Sequence, residues 1–395
     1  MTEATTPDSF DPQFLLALSQ RTDPVGVLSI YVDAEHGSDP GLHGAAIDIK
    51  NRLGELQRRI EEEGPPERTR RLAEGIDRFA PEIERLTSPL EHGRGRVLFL
   101  ALGDERVTRV SSQLPVPSRV VLDSNAFIHP LLELLDRGRP AGVVLGSREE
   151  AKLLEWRLGE LRLLDRLVPE VGEAPHERSG PVGPTPTDRQ GSPKREQREA
   201  RQREQSSRFL EQVAATASRV AGERDWDNVL VSGGERLTEP LAGALAPPLR
   251  DVAIRDPRLL LQLDADSLTD TVTERLNAAR DEFESQLIRR AADAAAGSGQ
   301  AALGLSQVVG ALNEARVAHL LYDSAIRYQG WVGDDGRLHA DDETGPAEGA
   351  LVREPRLTER LVERALETGA RITPLEGTAS EDLGEVGGIA ALLRW

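Results

Sequence analysis

Apolar residues along the chain recur in two periods, and the two periods take turns. Asp11 to Arg21 fits a short helix. VGVLSIYVDA, Val25 to Ala34, is rich in β-branched residues and predicts a strand. Gly41 to Gly64 sets Ile49, Leu53, Leu56 and Ile60 at helical spacing and runs into Gly-Pro-Pro, which predicts a helix with a sharp stop. A second helix is predicted from Glu67 to about Leu86. GRVLFLALG and ERVTRVSSQL then alternate as two strands about Gly103-Asp104, a hairpin pattern. Ser118 to Asp123 is a further short strand.

The same alternation continues. Ser124 to Gly138 reads as a helical link and Pro140 to Gly146 as a buried strand. Ser147 caps the element that follows, with Glu150 three residues on as in a capping box. ELRLLDRLVPEV is strand-like, and DNVLVSGGERLTEPLAGAL reads as strand, Gly-Gly turn and helix. Val252 to Ile254 is a short strand. Ala265 to Ala296 is a long helix that Gly297 ends. Leu305, Val308, Val309 and Leu312 mark a helix, Val317 to Asp323 a strand, and LTERLVERALETGARITPL a helix and then a strand. Helix and strand alternating throughout imply α/β layers in three modules, residues 1–123, 124–263 and 264–395.

One stretch breaks the pattern. RSGPVGPTPTDRQGSPKREQREARQREQSSR, Arg178 to Arg208, begins rich in Gly, Pro and Thr, which excludes a helix or a central strand there. From Pro193 no proline or glycine follows until Gly222, so residues 193–221 predict one helix behind a loop at 172–192. Ser192 suits its N-cap and Pro193 its first turn. Between Arg189 and Arg208 stand seven basic residues against three acidic ones, in a chain with a formal charge of −18. A basic helix on an acidic protein suits a tip that meets phosphate; a solvated helix behind an insertion fits the same charge pattern.

Composition narrows the classes. The acidic balance argues against broad, non-specific nucleic-acid binding but leaves room for one local basic patch. Zero cysteines exclude disulfides, thiolate metal sites and a cysteine nucleophile. No apolar run is long enough to span a membrane, and the acidic, polar N-terminus is no secretory signal, so a cytoplasmic protein without a membrane partner is expected. The seven histidines form no HxxxH or HxH pair, and no metal and no cofactor is expected. There is no Gly-x-Ser-x-Gly elbow and no Walker loop. Ser232-Gly233-Gly234 can cradle an anion at a helix start or simply make a tight strand-to-helix turn, the reading favoured here. Asp33 reads as a strand-terminating residue, and Gly297-Ser298-Gly299-Gln300 as a helix end and hinge. Gln190-Gly191-Ser192 sits at the loop tip, where an amide beside glycine can position a water or the sugar end of a nucleic acid.

In order, four stretches resemble the class-1 peptide-chain release factors of eukaryotes and archaea with their Pelota relatives, above all the bacterial homologues. They are VLSIYVDA (Val27 to Ala34), PAGVVLGSREEAKLLEWRLGEL (Pro140 to Leu161), the loop and basic helix with DNVLVSGGERL (Asp227 to Leu237), and the third module with GLSQVVGALNEARVAHLLYD and GGIAALLRW. The likeness is greatest to the actinobacterial branch related to the hibernation factor Balon. It implies an N-terminal α/β domain, a central domain of ribonuclease-H-like topology, and a C-terminal α/β/α domain of the kind found in kink-turn-binding proteins. It also implies a monomer that occupies the ribosomal A site, sends the central loop into the peptidyl-transferase centre, and meets a translational GTPase such as elongation factor Tu.

Two departures bear on activity. Release factors carry Gly-Gly-Gln at the loop tip; here the sequence is Asp188-Arg189-Gln190-Gly191-Ser192, without the glycine pair that frees the backbone. The stop-codon-reading motifs Asn-Ile-Lys-Ser and Tyr-x-Cys-x-x-x-Phe are absent, and the lookalike Asp48-Ile49-Lys50-Asn51 lies in a predicted helix. The leading expectation is a hibernation or stress factor that holds rRNA phosphates through Arg189, Lys194, Arg195, Arg198 and Arg201 without hydrolysis. The alternatives are a peptidyl-tRNA hydrolase or ribosome-rescue factor using Gln190 and Gly191, and an unrelated interaction protein whose basic helix is only a solvated face.

Overall fold

The computed structural model describes residues 2–5, 10–35, 41–63, 66–104, 106–169, 192–297, 299–341 and 351–395. The chain divides into two compact units, one of Met1–Gly138 with Asn277–Trp395 and one of Arg139–Leu276.

In the first third, strands β1 (Thr2–Thr5), β2 (Thr22–Asp33), β3 (Gly95–Ala101), β4 (Arg106–Ser112) and β5 (Arg119–Asn125) form a sheet in the order β1-β4-β3-β2-β5. The helices are α1 (Pro12–Ser19), α2 (Gly41–Glu63), α3 (Pro66–Arg78), α4 (Ala80–Arg85) and α5 (His129–Arg137). Alternate residues of β2, Leu28, Ile30 and Val32, meet Leu98 and Leu100 of β3, Ile49 and Leu53 of α2 and Leu72 of α3 in one core. The single helix expected from Glu67 to Leu86 is two helices, broken at Phe79 (φ −94°, ψ 9°). Pro81 accounts for the break, because its ring clashes with a continuing helix. β1 pairs in parallel with β4, a strand that its polar sequence Thr-Glu-Ala-Thr gave no sign of.

In the second unit, β6 (Ala141–Gly146), β7 (Ala151–Arg157), β8 (Glu160–Leu167), β9 (Asn228–Ser232) and β10 (Ala253–Asp256) take the order β10-β9-β6-β7-β8. β6, β7 and β8 are an antiparallel meander, and β9 and β10 extend it in parallel on the β6 side. That arrangement is the ribonuclease-H-like topology. Its helices are α6 (Ser192–Arg224), α7 (Thr238–Ala244), α8 (Pro247–Asp251) and the start of α9 (Ala265–Gly297). The capping-box pattern at Ser147 does not open a helix. The Ser147 hydroxyl accepts from the backbone N–H of Glu149 and Glu150 (3.1 and 3.0 Å), and the turn delivers the chain into β7. Leu158 (φ 51°) and Gly159 (φ 84°) then turn β7 into β8 with two successive left-handed residues, as a tight hairpin demands.

The last third supplies β11 (Ala301–Leu303), β12 (Val317–Asp323), β13 (Gly330–Gly333), β14 (Leu338–Ala340), β15 (Leu351–Glu354), β16 (Arg371–Leu375) and β17 (Ile389–Leu393), with α10 (Leu305–Asn313), α11 (Leu357–Glu367) and α12 (Gly377–Gly384). One sheet runs β11-β17-β12-β16 and a smaller one β14-β13-β15. Leu287, Ile288 and Ala291 of α9 pack with Ala379 and Leu383 of α12 on Leu321, Leu375 and Ala390 of the larger sheet. α9 ends where the Gly299 N–H bonds the carbonyl of Ala294 (2.9 Å) and Gly299 turns left-handed (φ 69°).

First and last thirds share one unit through a chain of rings. Phe99, Tyr31, Phe127, His129 and Tyr322 follow one another at centroid separations of 5.9, 6.5, 5.5 and 6.0 Å. The Tyr31 hydroxyl donates to the Phe127 carbonyl, and the Phe127 N–H donates to Ser29 Oγ at 3.0 Å. Around the rings, Arg280 donates to Asp136 at 2.6 Å, and Asn125 to Glu363 at 3.2 Å.

Two measurements test this packing. A Cβ on Gly142 would lie 2.1 and 2.2 Å from atoms of the Trp226 ring, so Gly142→Ala should cost about 2–3 kcal/mol in urea unfolding. Burial, reinforced by the charges of Arg327 and Arg119, pushes the His129 imidazole down to about 3. The unfolded chain protonates that ring near pH 6.5. Stability should therefore fall as pH drops below about 6.5, by about 2 kcal/mol between pH 7 and 5, and His129→Phe should remove that part of the slope.

Candidate nucleic-acid interface

α6 changes character along its 33 residues. In its second half Phe209, Val213, Ala214, Ala217, Val220 and Ala221 recur on one side and are buried against the sheet with Val144, Leu153, Val229 and Val231. In its first half the sequence SPKREQREARQREQSS offers only one apolar residue, Ala200, so there is no stripe to bury. The described positions from Ala200 through Arg208 are all exposed, and Phe209 is the first that is not, at 5 %. The helix is thus a rod anchored by its second half, with charged and polar positions exposed from Ala200 through Arg208 among the described residues.

The anchor is strongest at the C-terminal end. Glu155, on β7 and 3 % exposed, accepts from Arg224 Nε at 2.5 Å and Nη2 at 2.6 Å, and from Trp226 Nε1 at 3.0 Å. Burial alone would raise the Glu155 carboxyl, but the hydrogen bonds from Arg224 and Trp226 and the arginine charge outweigh it and hold the group below its ordinary value. The carboxylate therefore stays ionised, and the paired guanidinium fixes the last turn of α6 against the sheet. Arg224 also suits the negative end of the helix dipole.

On the outer half the helical spacing puts positions 194, 198, 201 and 208 on one face. Arg201 is exposed there, and Arg208 donates to Glu204 one turn back. Lys194, Arg195 and Arg198 lie on the same helix. Arg189, Gln190 and Gly191 lie outside the described residues.

The other candidates resolve into structure. Ser232 is 1 % exposed; its hydroxyl donates to the Arg258 carbonyl and accepts from the Leu260 N–H, while Gly233 N–H donates to Thr238 Oγ1 at 3.1 Å. With Gly234 left-handed (φ 72°), this is a self-satisfied strand-to-helix turn. Asp33 ends β2 in a two-bond pair with Arg94 at 2.8 and 3.0 Å. Among the described residues no group of three or more His, Cys, Asp or Glu could hold a metal ion. The clamp of Glu155, Arg224 and Trp226 is what the sequence reading missed; a tryptophan two residues after an arginine at a helix end, in a chain with four tryptophans, was its only signal.

A basic rod thus leaves a ribonuclease-H-like sheet. Residues 127–281 match the family model described as bacterial archaeo-eukaryotic release factor family 10, and the match spans both the sheet and the rod. No curated protein matches the chain. Among solved structures, an archaeal Pelota in a model of ribosome-bound Pelota and ABCE1 is 12% identical over 100% of this chain and 95% of that one, with a TM-score of 0.39. Dom34 of S. cerevisiae is 11% identical over 76% of this chain and 86% of its own, with a TM-score of 0.39. The archaeal termination factor aRF1 is 16% identical over 99% of both chains, with a TM-score of 0.26.

Glu155→Ala should strand the buried indole N–H and release Arg224. Because Arg224 is partly exposed, the expected loss in denaturant unfolding is about 2–3 kcal/mol, below the full penalty for breaking a buried pair. Far-UV circular dichroism of the folded variant should still show α6, since its apolar face is untouched.

Proposed function

We propose that this release-factor-like chain is a ribosome-associated translation factor of the cytoplasm that occupies the A site of idle or stalled ribosomes, as a hibernation or stress factor. The observation that carries the reading is the two-part helix Ser192–Arg224: an inner half buried on the sheet, and before it described positions from Ala200 through Arg208 that are exposed. The stretch 192–208 of that helix holds six basic against three acidic residues, in a chain of net charge −18. A rod held at one end delivers its tip as a rigid probe, and guanidinium groups on it pair with phosphate in two-bond geometry. In this reading Arg189, Lys194, Arg195, Arg198 and Arg201 contact rRNA beside the peptidyl-transferase centre, and the C-terminal module meets a translational GTPase such as elongation factor Tu. The acidic remainder of the protein keeps the contact local.

The reading includes no peptidyl-tRNA hydrolysis. Gln190 is preceded by Asp188-Arg189 where release factors have two glycines, and the backbone freedom of the glycine pair is missing. The alternative, a rescue hydrolase using Gln190 and Gly191, differs in one measurable product.

Purified protein mixed with ribosomes carrying peptidyl-tRNA in the P site decides between them. The expected result is binding without peptide release; release that vanishes in Gln190→Ala would establish the hydrolase. In co-sedimentation, replacing Arg195, Arg198 and Arg201 together by Glu should abolish binding at moderate salt. Replacing the same three by Gln should weaken it and lower the slope of log K against log salt by about three, one for each lost phosphate contact. Unchanged binding in both would overturn the role given to the helix.

A further inference from the structure

Between α5 and α11, inside the unit formed by the first and last thirds, lies a small cavity of about 20 Å³ lined by Phe127, Ile128, His129, Glu359 and Val362 among others. Two of its lining side chains carry buried polar atoms with no hydrogen-bond partner, His129 Nε2 and Glu359 Oε2. His129 is 6 % exposed, so its orphan nitrogen cannot reach bulk solvent. A buried donor or acceptor left unpaired is costly enough that native structures rarely keep one. Two in the same cavity point to a common partner.

The chemistry of the neighbours limits which atom can give and which can take. Tyr322 is buried, and burial raises its hydroxyl far above the ordinary tyrosine range, so it keeps its proton. That hydroxyl sits 3.3 Å from His129 Nδ1. A neutral imidazole has one N–H and one bare nitrogen. The Tyr322 hydroxyl can donate to Nδ1 or accept from it; where it donates, the proton of His129 is on Nε2, and Nε2–H needs an acceptor. Glu359 Oε2 is an acceptor without a donor. The cavity exceeds the roughly 10–15 Å³ that one water requires, and it is polar, the condition under which buried cavities fill.

We propose that this cavity is a binding site for a single internal water, which accepts from His129 Nε2–H and donates to Glu359, completing a relay Tyr322–His129–water–Glu359. The relay ties β12 and α11 of the last third to the start of α5 in the first third. Arg356 and Asp123 also line the cavity and pair with each other across the same junction. It is a latch between two stretches of chain about 190 residues apart, Asp123 to His129 and Tyr322 to Glu363.

The test uses the full chain labelled with nitrogen-15 at histidine. The relay requires His129 to be the Nε2–H tautomer; a spectrum showing Nδ1–H overturns it. A double-mutant cycle with His129→Phe and Glu359→Met follows unfolding in urea. The expected coupling changes the folding equilibrium by on the order of five-fold beyond the product of the single effects, while additive effects overturn the relay. Should either variant fail to fold, the tautomer in the unmodified chain decides alone, and a crystal structure must show ordered density bonded to both orphan atoms; an empty cavity rejects the water site.

Discussion

Glu155 is a carboxylate set among apolar strands, and the protein keeps it charged by bringing Arg224 and Trp226 to it. Removing either partner would leave an ionised group in a site that cannot solvate it, so the three residues stay together. Their union fixes where α6 ends. The apolar face from Phe209 to Ala221 then fixes how the helix lies on the sheet, each fully buried side chain adding about 1.5–3 kcal/mol for the larger ones. Among the described residues from Ala200 to Arg208 no side chain is buried, and their direction is inherited from the part that is held. A charged outer half can be displayed in water because the inner half has settled the orientation already.

Much of this was legible in the sequence. Val25 to Ala34 and Val317 to Asp323 were strands because β-branched and apolar runs of that length have few other uses. The long helices announced themselves by the absence of proline and glycine over thirty or so positions. What misled was local chemistry with two outcomes. Ser147 and Glu150 stand at capping-box spacing, yet a serine hydroxyl that accepts from N–H groups two and three residues on makes a tight turn equally well. What followed, a strand and a Leu-Gly hairpin turn, lacked the asparagine that usually marks such a turn. Likewise the helix expected from Glu67 to Leu86 ignored Pro81, although proline inside a helical pattern is a recognised stop.

The site divides in the same way. A run of arginines and lysines without apolar neighbours predicts an exposed helix by itself, and Arg201 is exposed as such a run implies. The partners of Arg224 could not be read, because Glu155 lies 69 residues away and nothing near it in sequence marks it as buried. The junction of first and last thirds was equally hidden: Asn125 with Glu363 and His129 with Tyr322 are pairs that only the folded chain defines. Periodicity reports which side of an element is buried; it does not report what covers it.

The division of the chain also orders its own making. The unit of Arg139–Leu276 is continuous, so once its last residue has left the synthesising ribosome every partner it needs is present. The first third is different. Phe127 and His129 stack toward Tyr322, and Asp123 awaits Arg356, residues made some two hundred positions later. Until then the pairs that join the first third to the last cannot form, through the whole synthesis of the central unit. The domain that displays the basic rod is thus the first that can be complete, and closure of the ends comes last.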